Sequence, residues 1–228
     1  MIKEKRMTGF RIKRVNLPAE LELAVDFKNF VRYSREEEMD LIDLKVEGHV
    51  MEEGDLGQLT FENVFFDHCM FTAVSLYNCT FKNVYFEGCT FPSCNFSHSW
   101  LNQCKFSNCQ MKGADFSESS ISNTEFTECN LKYVNFTSSK LNNCEVKESD
   151  LSDAFFATCS LKQMKLDQSQ FINTEFFKTP LKDLDFTTCI LEGISVSTEG
   201  NELKGALVNV YQAAELAKLL GIVIKEDL

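Results

Sequence analysis

Phe81-Lys82-Asn83-Val84-Tyr85-Phe86-Glu87-Gly88-Cys89-Thr90-Phe91-Pro92-Ser93-Cys94-Asn95-Phe96 carries a phenylalanine at every fifth residue. Counting outward from this stretch in both directions, every fifth position from Leu56 to Val196 is a large apolar residue, 29 in unbroken succession. Two residues before each lies a second series, mostly small, which holds all ten cysteines: Cys69, Cys79, Cys89, Cys94, Cys104, Cys109, Cys129, Cys144, Cys159 and Cys189. A spacing of two puts both residues on one face of an extended segment, so each five-residue unit points a small and a large side chain inward. Two residues after the large one, many units carry Asn or Gly, as at Asn63, Asn83, Gly88, Asn108, Gly113, Asn123 and Asn143. Those residues tolerate the dihedrals of a corner. A strand, a corner and a repeat of five exclude a helix of period 3.6 and describe a chain that turns regularly and stacks on itself, a β-solenoid.

Runs such as Cys104-Lys105-Phe106-Ser107-Asn108 and Ala114-Asp115-Phe116-Ser117-Glu118 resemble pentapeptide repeats of the form A(D/N)Lxx. The resemblance implies an all-β fold, a right-handed quadrilateral β-helix with four pentapeptides to a coil. Four sides also gather Cys69, Cys89, Cys109, Cys129 and Cys189 into one column at 20-residue steps or multiples of them.

Three segments are expected. The register runs back through Met51, Val46 and Leu41, so the solenoid occupies residues 41–200. Residues 1–40 differ in kind, with basic Arg11-Ile12-Lys13-Arg14, then Pro18 and an apolar-periodic stretch through Leu21, Leu23, Val25, Phe27, Phe30 and Val31. Terminal coils expose strand edges that need covering, so this segment is expected to cap the rod. In residues 201–228, Gly200 and Asn201 break the register, Leu203–Val208 read as a last strand, Tyr211–Leu220 as a helix closed by Gly221, and Ile222–Ile224 as a short apolar strand. An apolar helix face there fits a self-cap or a homodimer seam. The tail Gln212–Ile224 resembles the dimerising C-terminus of Qnr-type quinolone-resistance proteins. What that implies is an end-to-end homodimer through Tyr211, Ala213, Ala214, Leu216, Ala217, Leu220, Ile222 and Ile224.

Catalytic chemistry is not expected. Cysteines five apart lie on adjacent sides of a coil rather than converging, and neighbours in a column sit ~4.8 Å apart as parallel side chains, so neither a metal site nor disulfides are anticipated. The thiols read as small core residues. His49, His68 and His98 come with no motif that would supply a nucleophile or an orienting carboxylate, and no phosphate loop or nucleophile elbow is present. No cofactor is implied. Of 21 phenylalanines, 15 occupy the inward register. Phe65, Tyr77, Tyr85, Trp100, Tyr133, Phe155 and Phe177 fall outside it and should be at least partly exposed, where aromatics can anchor a partner.

The net charge of −11 resides in the solenoid, since residues 41–200 carry −11, residues 1–40 carry +1 and residues 201–228 carry −1. Every arginine lies within residues 1–35. The side centred on Phe66, Phe86, Phe106 and Phe126 carries Asp67, Glu87, Glu125, Glu128, Glu145, Glu148, Asp167 and Asp185 and nets −5; the side of Phe116 and Phe176, with Asp115 and Glu118, nets −3; the side of Phe81 and Leu141 nets +2. A chain so charged does not bind nucleic acid or an anionic membrane unaided. Eight coils at ~4.8 Å make a rod of roughly 38 Å with about one charge per 3.5 Å, against one per ~1.7 Å for duplex DNA. Charge alone fits either a DNA-like edge or a device for solubility. The family resemblance implies more: a non-enzymatic, DNA-mimicking protein that binds DNA gyrase or topoisomerase IV and counters quinolones or a gyrase-directed toxin. The alternative is a rigid scaffold recognising another protein. With no apolar leader at the start and no run of 18 apolar residues, a soluble cytoplasmic chain is expected.

Overall fold

Every fifth residue from Glu38 to Asp183 has a left-handed backbone, with φ between 48° and 70°. Each of these residues is a corner, and four corners close a coil of 20. Gly48, Gly88 and Gly113 are the only glycines among them; Tyr133 and Thr158 accept the same dihedrals. Left-handed backbone costs an ordinary residue roughly 1–2 kcal/mol. The Asn and Gly positions therefore mark the easy corners, while inter-coil hydrogen bonds and core burial impose the others.

A computed structural model describes residues 10–225; residues 1–9 of the expected N-terminal segment and 226–228 of the C-terminal one lie outside the described residues. The chain forms about nine turns. On the first side, the parallel strands Thr60–Glu62, Thr80–Lys82, Trp100–Asn102, Ser120–Ser122, Lys140–Asn142 and Ser160–Lys162 pair at a shift of 20 residues. The second side pairs Phe65–Asp67, Tyr85–Glu87, Lys105–Ser107, Glu125–Thr127, Glu145–Lys147 and Lys165–Asp167 in the same way. The third and fourth sides are held by shorter strands and single bridges, such as Gln170–Ile172 with Ile190–Glu192 and Asp115 with Asn135.

The interior is built from columns. Phe66, Phe86, Phe106 and Phe126 stack with centroids 5.0, 4.5 and 5.0 Å apart, and Phe96, Phe116, Phe136, Phe156 and Phe176 form a second stack. All ten cysteines are buried and free. Their column-mates are often Ser or Thr for a physical reason. The side chain donates to a carbonyl 23 residues earlier, as from Cys79 Sγ to Leu56, Ser99 Oγ to Leu76 and Ser119 Oγ to Phe96. It also accepts an N–H 20 residues earlier, as Ser99 Oγ does from Cys79. A small hydroxyl or thiol thus satisfies backbone groups that the corners leave without a ladder partner.

The register holds throughout, but the ladder does not. The N–H groups of Trp100, Ser120, Lys140 and Ser160 each donate to the carbonyl 21 residues earlier. Pro180 occupies the next station and has no N–H. Strands Ser160–Lys162 and Lys165–Asp167 pair only toward the N-terminal side, and Leu161 and Leu166 are half-buried where their counterparts are fully buried. Leu181, Asp183 and Phe186 bond instead to the following turn, at Glu202, Gly205 and Leu207.

The ends are capped. Glu22–Leu23 pairs in parallel with Leu44–Lys45, and helix α1 (Phe27–Glu36), whose first turn receives the Asp26 side chain, lays Phe27 edge-on against His49 and Phe66. At the other end two expectations need correction. Leu203–Val208 is no strand: Asn201–Leu203 is a 3-10 turn between left-handed Gly200 and Gly205, and only Leu207 makes a bridge, to Asp185. Glu202 causes this by turning inward, where it accepts from Lys178 N–H and Ser197 Oγ, both at 2.8 Å. Burial alone would push its carboxyl up, yet these bonds hold it below the usual range. Helix α2 (Val210–Leu219) forms behind an Asn209–Gln212 capping box and ends at left-handed Gly221 as expected. Ile222–Ile224 is not a strand, because the Ile222 N–H is taken by the Ala217 carbonyl in closing α2.

Candidate functional site

The corner between the first and second sides carries Asn63, Asn83, Gln103, Asn123, Asn143 and Gln163, one side-chain amide per coil. The amides orient one another: Asn83 Nδ2 donates to Asn63 at 2.7 Å, Gln103 Nε2 to Asn83 at 3.0 Å and Asn143 Nδ2 to Asn123 at 2.6 Å. Along this file runs an extended strap, Arg11–Asn16, parallel to the axis of the rod. Asn83 both accepts from Asn16 N–H at 2.8 Å and donates to the Asn16 carbonyl at 2.9 Å. Gln103 donates to the Arg14 carbonyl at 2.8 Å, Asn123 accepts from Lys13 N–H at 3.3 Å, and Asn143 donates to the Arg11 carbonyl at 2.9 Å. Three coil steps, about 14 Å, are matched by five extended residue steps, about 16 Å.

Beside this track the second side presents two carboxylates in adjacent coils. Glu125 and Glu145 are 7% and 5% exposed, and the Arg14 guanidinium reaches them at 3.8 and 3.6 Å. Lys165 meets Glu145 from the next coil at 2.5 Å. Burial pushes the Glu125 carboxyl up and Arg14 pulls it back. Five hydrogen bonds net about 1 kcal/mol each, the exposed Arg14 pairs add about 0.2–1 kcal/mol, and ordering six backbone residues costs about 1–2 kcal/mol apiece, so the strap sits near balance.

The expected acidic side is therefore presented unevenly. Glu125 and Glu145 are nearly buried against Arg14 of the strap, with Lys165 on Glu145, so they are not presented to solvent, a correction to the expectation that they face a partner. Glu128, Glu148 and Asp185 are exposed, and Asp67, Glu87 and Asp167 are half-exposed. With Glu47, all of these but Asp185 form a file along the second side and its following corner, one carboxylate per coil, interrupted at Ser107 and Asn108; Asp185 stands in the column of Glu125 and Glu145. Part of the file is paired: Lys45 contacts Glu47 and Asp67 at 2.9 and 3.1 Å, and Lys147 contacts Glu148 at 3.2 Å. The His68 hydrogen bond and Lys45 hold the Asp67 carboxyl below its usual range. Burial and the hydrogen bond to Glu87 push the Tyr85 hydroxyl up to about 12. Asp115 and Glu118 lie on the fourth side and its corner, away from this file.

The aromatics expected outside the core are outside it: Tyr77, Trp100, Tyr133, Phe155 and Phe177 are exposed, and Phe65 and Tyr85 stack at 5.1 Å between Lys45 and Lys105. At the C-terminus the eight candidate seam residues divide. Leu216 is buried against the last coil beside Gln212, whose Nε2 donates to Phe186 and Cys189 carbonyls, so it belongs to the self-cap. Tyr211, Ala213, Leu220, Ile222 and Ile224 are exposed and Ala214 and Ala217 half-buried; of these, Tyr211, Ala214 and Ile224 line an open groove of about 1110 Å³ between α2 and the edge strand Ile190–Glu192. Among the described residues no His, Cys, Asp and Glu cluster has the arrangement of a metal site. No described helix is long and apolar enough to cross a membrane.

The strap's track was not foreseen. The corner amides were visible as turn residues only; their recurrence in one 20-residue column was the available signal.

Coils of four five-residue sides, left-handed corners and paired inward columns define a quadrilateral β-solenoid. A family model described as a pentapeptide repeat region matches residues 59–136 and 79–156, so the central part of the chain is a pentapeptide repeat region. It is similar to solved structures of QnrB1, a plasmid-mediated fluoroquinolone resistance protein (20% identity over 78% of this chain and 100% of that one, TM-score 0.38). It is also similar to HetL, a pentapeptide repeat protein involved in heterocyst differentiation regulation in the cyanobacterium Nostoc (9% identity, 79% and 98%, TM-score 0.38). A third is a pentapeptide repeat protein of the Arabidopsis thaliana thylakoid lumen (19% identity, 59% and 84%, TM-score 0.35). No curated protein sequence matches the chain.

Proposed function

We propose that the protein is a non-enzymatic DNA mimic that binds a type II topoisomerase, DNA gyrase or topoisomerase IV, in the cytoplasm, as a homodimer joined at its C-termini, and that it protects the enzyme from quinolones or a toxin. The observation that carries this reading is the file Glu47, Asp67, Glu87, Glu128, Glu148 and Asp167 on a rigid shaft. One carboxylate per ~4.8 Å approaches the one charge per ~3.4 Å of a single DNA strand, and a basic groove built for duplex is the surface that such a file complements. The exposed Tyr211, Leu220, Ile222 and Ile224 at α2 support a dimer, which doubles the length of the file. The resemblance of the repeats and the tail to Qnr-type proteins points the same way.

A supercoiling assay with purified gyrase, with and without ciprofloxacin, tests it. Inhibition of supercoiling, or rescue from the drug, at micromolar protein is expected; no effect at that concentration overturns the proposal. A rigid scaffold for another protein is the second reading, favoured by the cover that Arg14 places over the central carboxylates Glu125 and Glu145.

A further inference from the structure

We infer that the amide file Asn83, Gln103, Asn123 and Asn143, with Glu125 and Glu145 beside it, is a peptide-binding track for an extended, arginine-bearing protein segment, occupied here in cis by Arg11–Asn16 and exchangeable with a segment of a partner.

Three features make this a binding site rather than a packing contact. First, what is read is backbone. All five strap hydrogen bonds join main-chain N–H or carbonyl groups to side-chain amides, so any extended segment of the right rise can be held. Second, the track is ordered independently of its occupant. The amides are tied together in two runs, Asn63–Asn83–Gln103 and Asn123–Asn143, the second anchored by the Asn123 Nδ2 bond to Asn102 at 2.9 Å, so a ligand meets a pre-set row of donors and acceptors. Third, the floor demands a cation. Glu125 and Glu145 stack in register in adjacent coils, nearly buried, with Lys105 and Lys165 at the two ends of the column, and Arg14 is the cation that contacts both, so losing it would leave two like charges facing each other with nothing between them. The occupant must therefore bring a guanidinium at the position of Arg14, with apolar residues at those of Ile12 and Val15, which are half-buried. Two carboxylates at the same place exclude a nucleic acid. The strap fills the track without closing it, since the Arg14 side chain stays 68% exposed and is open to competition.

The inference is independent of the topoisomerase reading, because its test contains no topoisomerase. The probe is a fluorescein-labelled peptide of residues 10–17, titrated by anisotropy into the full chain and into full-chain Arg14→Glu, in which the strap is repelled from its carboxylates. Binding to Arg14→Glu at micromolar peptide, at least tenfold weaker binding to the unaltered chain, and loss of binding when the peptide carries Glu in place of the same arginine are expected. Adding Gln103→Ala and Asn123→Ala to the Arg14→Glu chain should weaken the peptide tenfold or more. Equal affinity for both chains, or none for either, overturns the proposal. A second measurement needs no variant: in hydrogen exchange on the unaltered chain, the Lys13 and Asn16 amides should exchange at least a hundredfold faster than those of Trp100–Ser107. Equal protection would make the strap a fixed part of the fold and reject exchange.

Discussion

Ser139 Oγ donates to the carbonyl of Phe116, 23 residues earlier in the chain, at 2.6 Å, and accepts the N–H of Ser119 at 3.1 Å. One buried hydroxyl thereby serves two backbone groups that no strand ladder reaches. Replacing it with Ala leaves the two with only their long bond to each other, Ser119 N–H to the Phe116 carbonyl at 3.3 Å, and should cost about 0.5–1.5 kcal/mol. Ser139→Cys should cost less, because Cys159 in the same column donates to the Phe136 carbonyl at 2.9 Å. Urea midpoints of the two variants check this; equal midpoints would deny the serine its bridging role.

Phe106 stands mid-stack, 4.5 Å from Phe86 and 5.0 Å from Phe126, fully buried. Phe106→Ala opens a cavity in a rod whose coils contact only their neighbours, and about 3–5 kcal/mol of stability should be lost. Phe106→Leu should cost about 1–1.5 kcal/mol, since Leu101 and Leu131 fill the same inward register on other sides. Chemical denaturation followed by Trp100 fluorescence measures both.

How legible these features are in the sequence differs by scale. The period of five, the inward pairing and the corners are local and repeated, so Phe66 and Cys89 announce their surroundings. Pro180 was visible too, yet its effect depends on knowing that this station donates its N–H to the coil below. The strap is least legible: Arg11–Asn16 has no periodicity, and its partners lie 67 to 132 residues away. The acidic side was read as presented because Glu125 and Glu145 look like outward residues of a strand, and only the strap's path shows that Arg14 covers them. Ile222–Ile224 looked like a strand because local composition cannot reveal that Ile222 N–H is already used by the helix end.

His49 faces Phe27 and Phe71, and its Nε2 is buried without a hydrogen-bond partner among the described residues. Burial holds its pKa below the ordinary 6.5; Lys28 opposes its protonation further and Asp26, at the start of α1, favours it. The unfolded chain therefore takes up the proton first, so this contribution is complete above about pH 6.5 and is lost as pH falls toward the folded value. Helix α1 should loosen between pH 7 and 5.5, seen as lower exchange protection of Val31 and Ser34 after correction for intrinsic rates. His68 runs the other way, raised by Asp67, but it is exposed and does not touch α1. His49→Leu should abolish the pH effect on α1; persistence would assign it elsewhere.

If the exposed acidic file engages a topoisomerase, Lys at Asp67, Glu87, Glu148 and Asp167 together should weaken binding at least tenfold and flatten its salt dependence. Reversal of Lys140 and Lys162 on the first side should not. Glu125→Gln and Glu145→Gln should also leave topoisomerase binding nearly unchanged, because those carboxylates already face Arg14. Surface plasmon resonance at two salt concentrations separates the three sets. Equal losses from all of them would reduce the effect to net charge.

Burial pushes the thiols of Cys79, Cys104 and Cys144 up to about 12, and Cys79 and Cys104 each donate Sγ to a carbonyl 23 residues earlier. Thiolate is the reactive form, so these groups are both shielded and protonated. Iodoacetamide at pH 8 should leave the folded chain unmodified and add ten adducts in denaturant, counted by intact mass. Diamide should not cross-link Cys89 to Cys109 either, although they are neighbours in a column, because each points its sulfur to a carbonyl of the coil below, Phe66 and Phe86. Rapid modification of a single cysteine would locate a coil that opens locally. The ladder interruption beside Pro180 makes Cys159 the first residue to inspect: its carbonyl lacks the N–H that each earlier coil supplies there.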